Sequence, residues 1–264
     1  MSVVRLIRIE HEGAVKYAVD ADGICRLLDG DVLHDPDSLR RRAEAAAASG
    51  TPVTPTRVLS PIAPSKIVAI GLNYRDHAAE MGKPLPPEPL MFLKPSTAVI
   101  GPDAEIAIPP GAGRVDHEAE LGVVIGRRAR QVPAASALDY VLGLTCINDV
   151  TARDLQRKDV QYTRAKGFDT FAPLGPCIAV GLDPSALDVE CWVNGQQRQA
   201  SNTRQLIFPV QEIIAFASSV MTLLPGDVIA TGTPSGVGPL ADGDRVTVKV
   251  EGIGELRNRV TGRV

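Results

Sequence analysis

Apolar and polar positions alternate in strand fashion at the start of the chain, through VVRLIRI, VKYAV and ICRLL. This pattern predicts three strands, with EHEG and DADG as the turns between them. SLRRRAEAAAAS then reads as a short helix, with Asp37 or Ser38 available to cap it and Arg40, Arg41 and Arg42 on a solvated face. The proline-rich GTPVTPTRVLSPIAPS breaks both periodicities and predicts a linker near residues 50 to 65. The pattern divides the chain into a small N-terminal α+β domain over residues 1–60 and a larger one over 61–264.

The larger block is a series of short apolar runs punctuated by Gly and Pro: KIVAIG, EPLMFLKP, AEIAIP, ELGVVIG, YVLGLTCIND, GPCIAVG, ECWVNG, DVIATG and RVTVKVEG. Helical interludes are few, VQEIIAFASSVMTL being the longest. A mainly β chain with some α follows, better suited to a large sandwich, roll or barrel than to a doubly wound sheet.

Composition narrows the setting. A chain of 264 residues, 44% hydrophobic, can bury one substantial core. A net charge of -3 and a pI near 5.8 give none of the basic excess that nucleic-acid binding requires. Charged residues interrupt the N-terminus and no apolar run approaches a bilayer span, so the expectation is a cytoplasmic protein with no membrane partner. Cys25, Cys146, Cys177 and Cys191 are scattered without CxxC spacing, three of them in apolar surroundings; neither a disulfide nor a thiolate metal site is expected.

Candidate chemistry begins in RVDHEAELGVVIGRR. In a strand, Glu118 and Glu120 project from one face. They are either a solvent-facing strand edge or a buried pair that needs a cation or a proton to neutralise it. HEAEL lacks the second histidine of HExxH, which removes a zinc-protease reading. The apolar, β-prone run YVLGLTCIND reads as a central strand and places a third carboxylate, Asp149, at its end. Three oxygen donors without clustered Cys or His suit a hard cation, Mg²⁺, Mn²⁺ or Ca²⁺. If NYRDHAAEMGKP is helical, His77 and Glu80 share a face, and the carboxylate can hold the imidazole as a base; the alternative is an exposed surface pair. The prolines that follow, Pro84, Pro86, Pro87 and Pro89, look like a cover over a site rather than core.

Six segments in order, GLNYRDHAAEM, PLMFLKPSTAVIGP, VDHEAELGVVIG, LGLTCINDVTARDLQ, RAKGFDTFAPLGP and IATGTPSGVG, resemble the fumarylacetoacetate hydrolase superfamily, over roughly residues 65 to 260. The resemblance is to its small bacterial members of the acylpyruvase and 2-hydroxyhepta-2,4-diene-1,7-dioate isomerase type. It implies a mixed β-sandwich roll with an appended N-terminal domain, and a homodimer. It also implies Glu118, Glu120 and Asp149 as divalent-metal ligands, His77 and Glu80 as a water-activating dyad on a lid helix, and Lys166 as a lysine near the metal shell. Lys94 matches a substrate-pocket lysine, although a strand-end surface cation reads equally well. Gln156 matches a substrate contact, while Arg153 and Asp154 read as structural and His117 as facing away from Glu118. Gly232 and Thr233 either form a tight turn or, by the resemblance, hold a substrate carboxylate. Tyr74 and Arg75 flank the dyad and are placed at the far end of the substrate.

These parts imply an enzyme acting on a small 2-oxo acid with Mg²⁺ or Mn²⁺, Ca²⁺ being a further option. The leading expectation is C–C hydrolysis of an acylpyruvate-type 2,4-dioxo acid in aromatic or amino acid catabolism, because the dyad is complete. Isomerisation or decarboxylation of a 2-oxo or hydroxymuconate-type diacid, oxaloacetate included, is the alternative. A metal-binding relative without turnover is the other class; it would have no need to keep His77, Glu80 and Lys166 beside all three carboxylates.

Overall fold

A computed structural model describes residues 3–33 and 36–262 of the chain. The first three strands, Val4–His11, Ala14–Ala21 and Ile24–Leu28, form an antiparallel meander in the predicted places. Its turns put Glu12 and Gly13, then Asp22 and Gly23, at positive φ, the conformation that tight hairpins require. Helix α1, Pro36–Ser49, lays Leu39, Ala43 and Ala46 against Val19 and Leu28. It starts at Pro36, so Ser38 lies inside the first turn, and the side chain of Asp37 lies outside the described residues. The expected linker also contains structure. Arg57–Leu59 pairs with Arg8–Glu10, because prolines on either side still leave three consecutive residues free to extend along an open strand edge.

One sheet of eleven strands dominates. Ala119–Ile125 lies inside it, paired with Val141–Asn148 on one side and Val228–Ala230 on the other. All seven of its residues are buried, which explains why its sequence is apolar almost without alternation. The sheet continues through Lys66–Gly71 to Leu90–Pro95, and the chain then reaches Val99–Ile100, which pairs with Ala172 and Pro173 of the Ala172–Val180 strand. That strand is itself part of the same sheet, so the sheet curls back on itself as a roll. The N-terminal meander adds to it directly, Val4 pairing with Val180 and Leu6 with Ile178.

Two cores result. One face of Ala119–Ile125 sends Leu121, Val123 and Ile125 toward a five-stranded sheet built from Glu105–Ile108, Asp188–Val193, Gln196–Asn202, Arg245–Val250 and Gly254–Gly262. The other sends Val124 toward Ile67, Ala69, Ile147 and Leu174. Cys146, Cys177 and Cys191 are buried in the first core. The architecture is the expected mixed β fold of packed sheet layers. Two of its longer strands escaped the pattern reading, Gln196–Asn202 and Gly254–Gly262. The first is exposed at most positions, and the second buries Asn258 where an apolar residue would have marked the alternation.

Helices are short: α2 Arg75–Glu80, α3 Arg153–Asp159, α4 Thr163–Lys166 and α5 Val210–Val220 complete the α-helices among the described residues, beside four short 3-10 segments. None of them is long and apolar enough to cross a membrane.

Leu6 is fully buried and belongs to the second core, so Leu6→Ala is expected to cost about 2 to 5 kcal/mol. Urea denaturation followed by circular dichroism and by Trp192 fluorescence should show one coincident transition shifted to lower urea. Two separate transitions would contradict the continuity of meander and roll.

Candidate active site

Four chain segments meet at one end of the roll. Ala119–Ile125 runs antiparallel to Val141–Asn148 and Val228–Ala230, and Lys66–Gly71 runs parallel to the latter. Glu118 and Glu120 therefore stand beside Asp149, beside the turn containing Gly232 and Thr233, and beside the chain that becomes α2. The strand ends are tied together: Asp149 N–H donates to the Glu118 carbonyl at 2.8 Å and Glu118 N–H to Asn148 Oδ1 at 3.0 Å.

One carboxylate oxygen from each of Glu118, Glu120 and Asp149 lies within 4.8 Å of the others. The glutamates are 6% and 1% exposed, so the reading of them as a solvent-facing edge fails. Glu118 is matched by cations, its two oxygens accepting from Arg153 Nη2 at 2.6 Å and Lys166 Nζ at 2.9 Å. Burial alone would raise its pKa, but Lys166 and Arg153 reverse this and hold it down to about 2. Asp149 accepts from Lys166 Nζ and Lys94 Nζ, both at 2.5 Å. Burial favours the neutral form of both lysines. It prevails at Lys94, whose pKa is lowered with Lys166 nearby, while Asp149 and Glu118 keep Lys166 raised.

Glu120 differs. Its hydrogen bond is from Gly232 N–H at 2.8 Å, and no cationic side chain bonds it among the described residues. Burial, then Asp149 and Glu118, push its pKa well above the ordinary carboxylate range. A desolvated carboxylate facing two others, in a set of hard oxygens, fits a divalent cation, which would relieve the repulsion that now favours a proton.

The carboxylates open into an inner chamber of about 110 Å³, whose wall includes His77, Met81, Gln156, Tyr162, Lys166 and Thr233. Beyond it lies an outer chamber of about 440 Å³ that shares His77, Lys83, Arg153 and Gln156 and adds Arg114 and Arg157. Helix α2 forms where the HAAE stretch predicts it, and His77 Nδ1 lies 3.0 Å from Glu80 Oε2. His77 lines both chambers, and the exposed Glu80 lines the outer one.

Several anticipated contacts fall elsewhere. Lys94 is fully buried behind Asp149 and is neither a surface cation nor on the chamber wall. Tyr74 is also fully buried, and burial followed by Glu120 and Asp76 raises its pKa; Arg75 is exposed. Neither lines a chamber, because the backbone turns at the start of α2 and sends His77 inward instead. The Gly232 N–H is engaged by Glu120 rather than open to a ligand, a geometry that its φ of +102° permits. Thr233 lines the inner chamber while its hydroxyl donates to the Ala119 carbonyl at 2.9 Å. His117 turns away from the carboxylates, Nδ1 lying 3.1 Å from Gln199 Oε1.

Arg153, read from sequence as structural, belongs to the site. Asp116 accepts its Nε at 2.9 Å, Gln156 Oε1 its Nη1 at 2.6 Å, and Glu118 its Nη2. Its position four residues after Asp149 was the available signal.

The sequence profile described as fumarylacetoacetate hydrolase C-terminal matches residues 66–261. The chain belongs to the fumarylacetoacetate hydrolase family. Within that family it is similar to a 5-carboxymethyl-2-hydroxymuconate delta-isomerase from Mycobacterium smegmatis, 46% identical with a TM-score of 0.85 over 98% of this chain and 99% of the other. It is similar to a fumarylpyruvate hydrolase from Pseudomonas aeruginosa solved with Mn²⁺ and pyruvate, 33% identical with a TM-score of 0.73 over 79% of this chain and 93% of the other. A mitochondrial oxaloacetate tautomerase of Bos taurus is 42% identical over 236 residues, 84% of this chain and 75% of that protein. Fumarylacetoacetate hydrolase family enzymes depend on divalent metals, and both hydrolases and isomerases occur among these relatives.

A cation entering this site competes with the proton that burial and the neighbouring carboxylates favour on Glu120. Mn²⁺ affinity is therefore expected to rise with pH across the range measured, with proton release seen as a dependence of the calorimetric heat on buffer ionisation enthalpy. Glu118→Ala and Asp149→Ala should abolish binding and Glu120→Gln the proton release. An affinity flat across that range would contradict the charge assignment.

Proposed function

We propose that this protein is a divalent-metal-dependent hydrolase that cleaves a C–C bond of an acylpyruvate-type 2,4-dioxo acid. The observation that carries the reading is that His77, on the wall of the chamber that holds the three carboxylates, is paired with Glu80, which lines the outer chamber. A Glu80 carboxylate against Nδ1 keeps the proton on that nitrogen and leaves the Nε2 lone pair as the base. Mg²⁺ or Mn²⁺ held by Glu118, Glu120 and Asp149 would polarise the 2-oxo acid end of the substrate and make the adjacent carbon a better leaving group. His77 takes a proton from water as the water oxygen attacks the distal carbonyl. The C–C bond then breaks, its electron pair staying with the pyruvate fragment, and the imidazolium returns a proton to that carbon. Products are pyruvate and the acid of the acyl group. Lys166 bridges Glu118 and Asp149 and, with Arg153, keeps Glu118 ionised, and Arg153 fixes the Gln156 amide at the junction of the two chambers.

A second reading, isomerisation or decarboxylation of a diacid, has its own support. Lys83, Arg114 and Arg157 line the outer chamber, where a second carboxylate would be attracted, and one 46% identical relative is named an isomerase. The same base can move a proton along a conjugated chain without water.

The deciding experiment is product identification by NMR from an acylpyruvate, oxaloacetate and a hydroxydienoate, with Mg²⁺ or with EDTA. Magnesium-dependent release of pyruvate and an acid is expected; CO₂ loss or proton relocation with the acylpyruvate untouched would replace the hydrolase reading with the second. His77→Ala should slow hydrolysis by about 10²-fold or more while leaving Mn²⁺ affinity in place. Loss of Mn²⁺ binding in that variant would overturn the division between dyad and metal ligands.

A further inference from the structure

Helix α2 is six residues long and buries only Ala78. A helix this short has no independent stability, so the position of His77 and Glu80 depends on whatever tethers the helix. Two side-chain tethers hold it. Ser201 Oγ donates to Asp76 Oδ2 at 2.5 Å, while Asp76 Oδ1 accepts the His77 N–H at 2.7 Å, so Asp76 clamps the first turn. At the other end, Glu80 Oε1 accepts the Gly236 N–H at 3.0 Å.

Both tethers lead to the strand Gln196–Asn202, which is the edge of the five-stranded sheet. Ser201 belongs to it. Gly236 lies against it, and a Cβ added there would stand 2.1 Å from the Arg198 carbonyl oxygen, so only glycine lets the loop approach this closely. Gln199, two residues before Ser201, is 1% exposed in a strand whose other residues are mostly exposed. Its Oε1 accepts the Ala119 N–H at 3.0 Å, between the two glutamates of the carboxylate cluster. Its Nε2 donates to Thr233 Oγ1 at 2.8 Å and to the Pro234 carbonyl at 2.9 Å. The loop so held gives Gly232 N–H to Glu120 and Gly236 N–H to Glu80.

We propose that Gln196–Asn202 is a brace that sets the dyad in register with the carboxylates, with Ser201 and Gln199 as positioning residues. Ser201 fixes the helix that carries the base, and Gln199 fixes the strand and loop that carry the acids. Neither lines the inner or outer chamber. The assignment of a kinetic consequence rests on the hydrolase reading above; the mechanical link does not.

The test compares Ser201→Ala, Ser201→Thr and Gln199→Leu with the wild-type chain by amide hydrogen exchange and by Mn²⁺-dependent turnover of acetylpyruvate. In Ser201→Ala the α2 amides, those of Ala78 and Met81 among them, should exchange faster while the core strands keep their protection. Its kcat should fall on the order of 10-fold with KM within about twofold, since a displaced base affects the chemical step more than binding. Ser201→Thr, which keeps the hydroxyl, should restore both. Gln199→Leu should instead speed exchange over the loop around Gly232 to Gly236. Wild-type exchange and kcat in Ser201→Ala would overturn the brace, as would equal losses in the alanine and threonine variants. If wild-type protein leaves acetylpyruvate intact, the hydrolase reading fails and the exchange comparison alone decides the brace. Should Gln199→Leu not fold, the Ser201 pair still gives the answer.

Discussion

Three carboxylates buried within 4.8 Å of one another are the constraint around which this end of the molecule is built. Each must leave water, and each raises the cost of ionising the others. Lys166 and Arg153 answer for Glu118, and Lys94 and Lys166 for Asp149. Glu120 receives a backbone N–H and no cation from the chain. The asymmetry leaves the cluster suited to a cation: two carboxylates are paired with side-chain cations, and the third retains the unmet demand for positive charge. Lys66 and the buried Asp227, an ion pair reinforced by Ser65, show the contrasting case of a buried acid fully satisfied by its neighbours and left without chemistry to do.

The roll makes this cluster possible by geometry rather than by local sequence. Alternating strand directions bring the start of Ala119–Ile125 together with the ends of its neighbours, and each neighbour continues into a functional segment. Curling of the sheet then brings Lys94, on a strand remote from Asp149 in the sheet order, to within hydrogen-bonding distance of it. The low-dielectric interior of the roll strengthens these contacts and penalises any member left unpaired. Substitution of one member is therefore a change to the whole set, and single-variant effects here will not add.

The proposed base is organised on different terms. His77 and Glu80 ride on a helix too short to hold itself, at the mouth of the chamber, fastened by hydrogen bonds to a strand and a loop instead of by packing. Rigid strands position the acids, and a tethered element positions the proposed base. Separation of this kind suits a site that must admit a substrate past the dyad before the two halves act together.

The sequence by itself determined the β-rich character, most strand positions, the short α2 helix, and the identities of Glu118, Glu120, Asp149, His77, Glu80 and Lys166, which the fold brings together. The carboxylates and the dyad were legible because they depend on neighbours in the chain, namely strand period, helical i,i+3 spacing and a carboxylate ending an apolar run; Lys166 came from the family resemblance alone. The tertiary structure decided what depends on distant segments. Lys94 proved to be a buried partner of Asp149, Arg153 a member of the site, Gly232 a donor to Glu120, and Tyr74 and Arg75 outsiders to the chambers. Gln199, in the unremarkable run QQRQA, carries no local mark of its burial; its partners Ala119 and Thr233 are 80 and 34 residues away. Side-chain hydrogen bonds across such separations have no periodicity to read, because they are fixed only when the sheets pack.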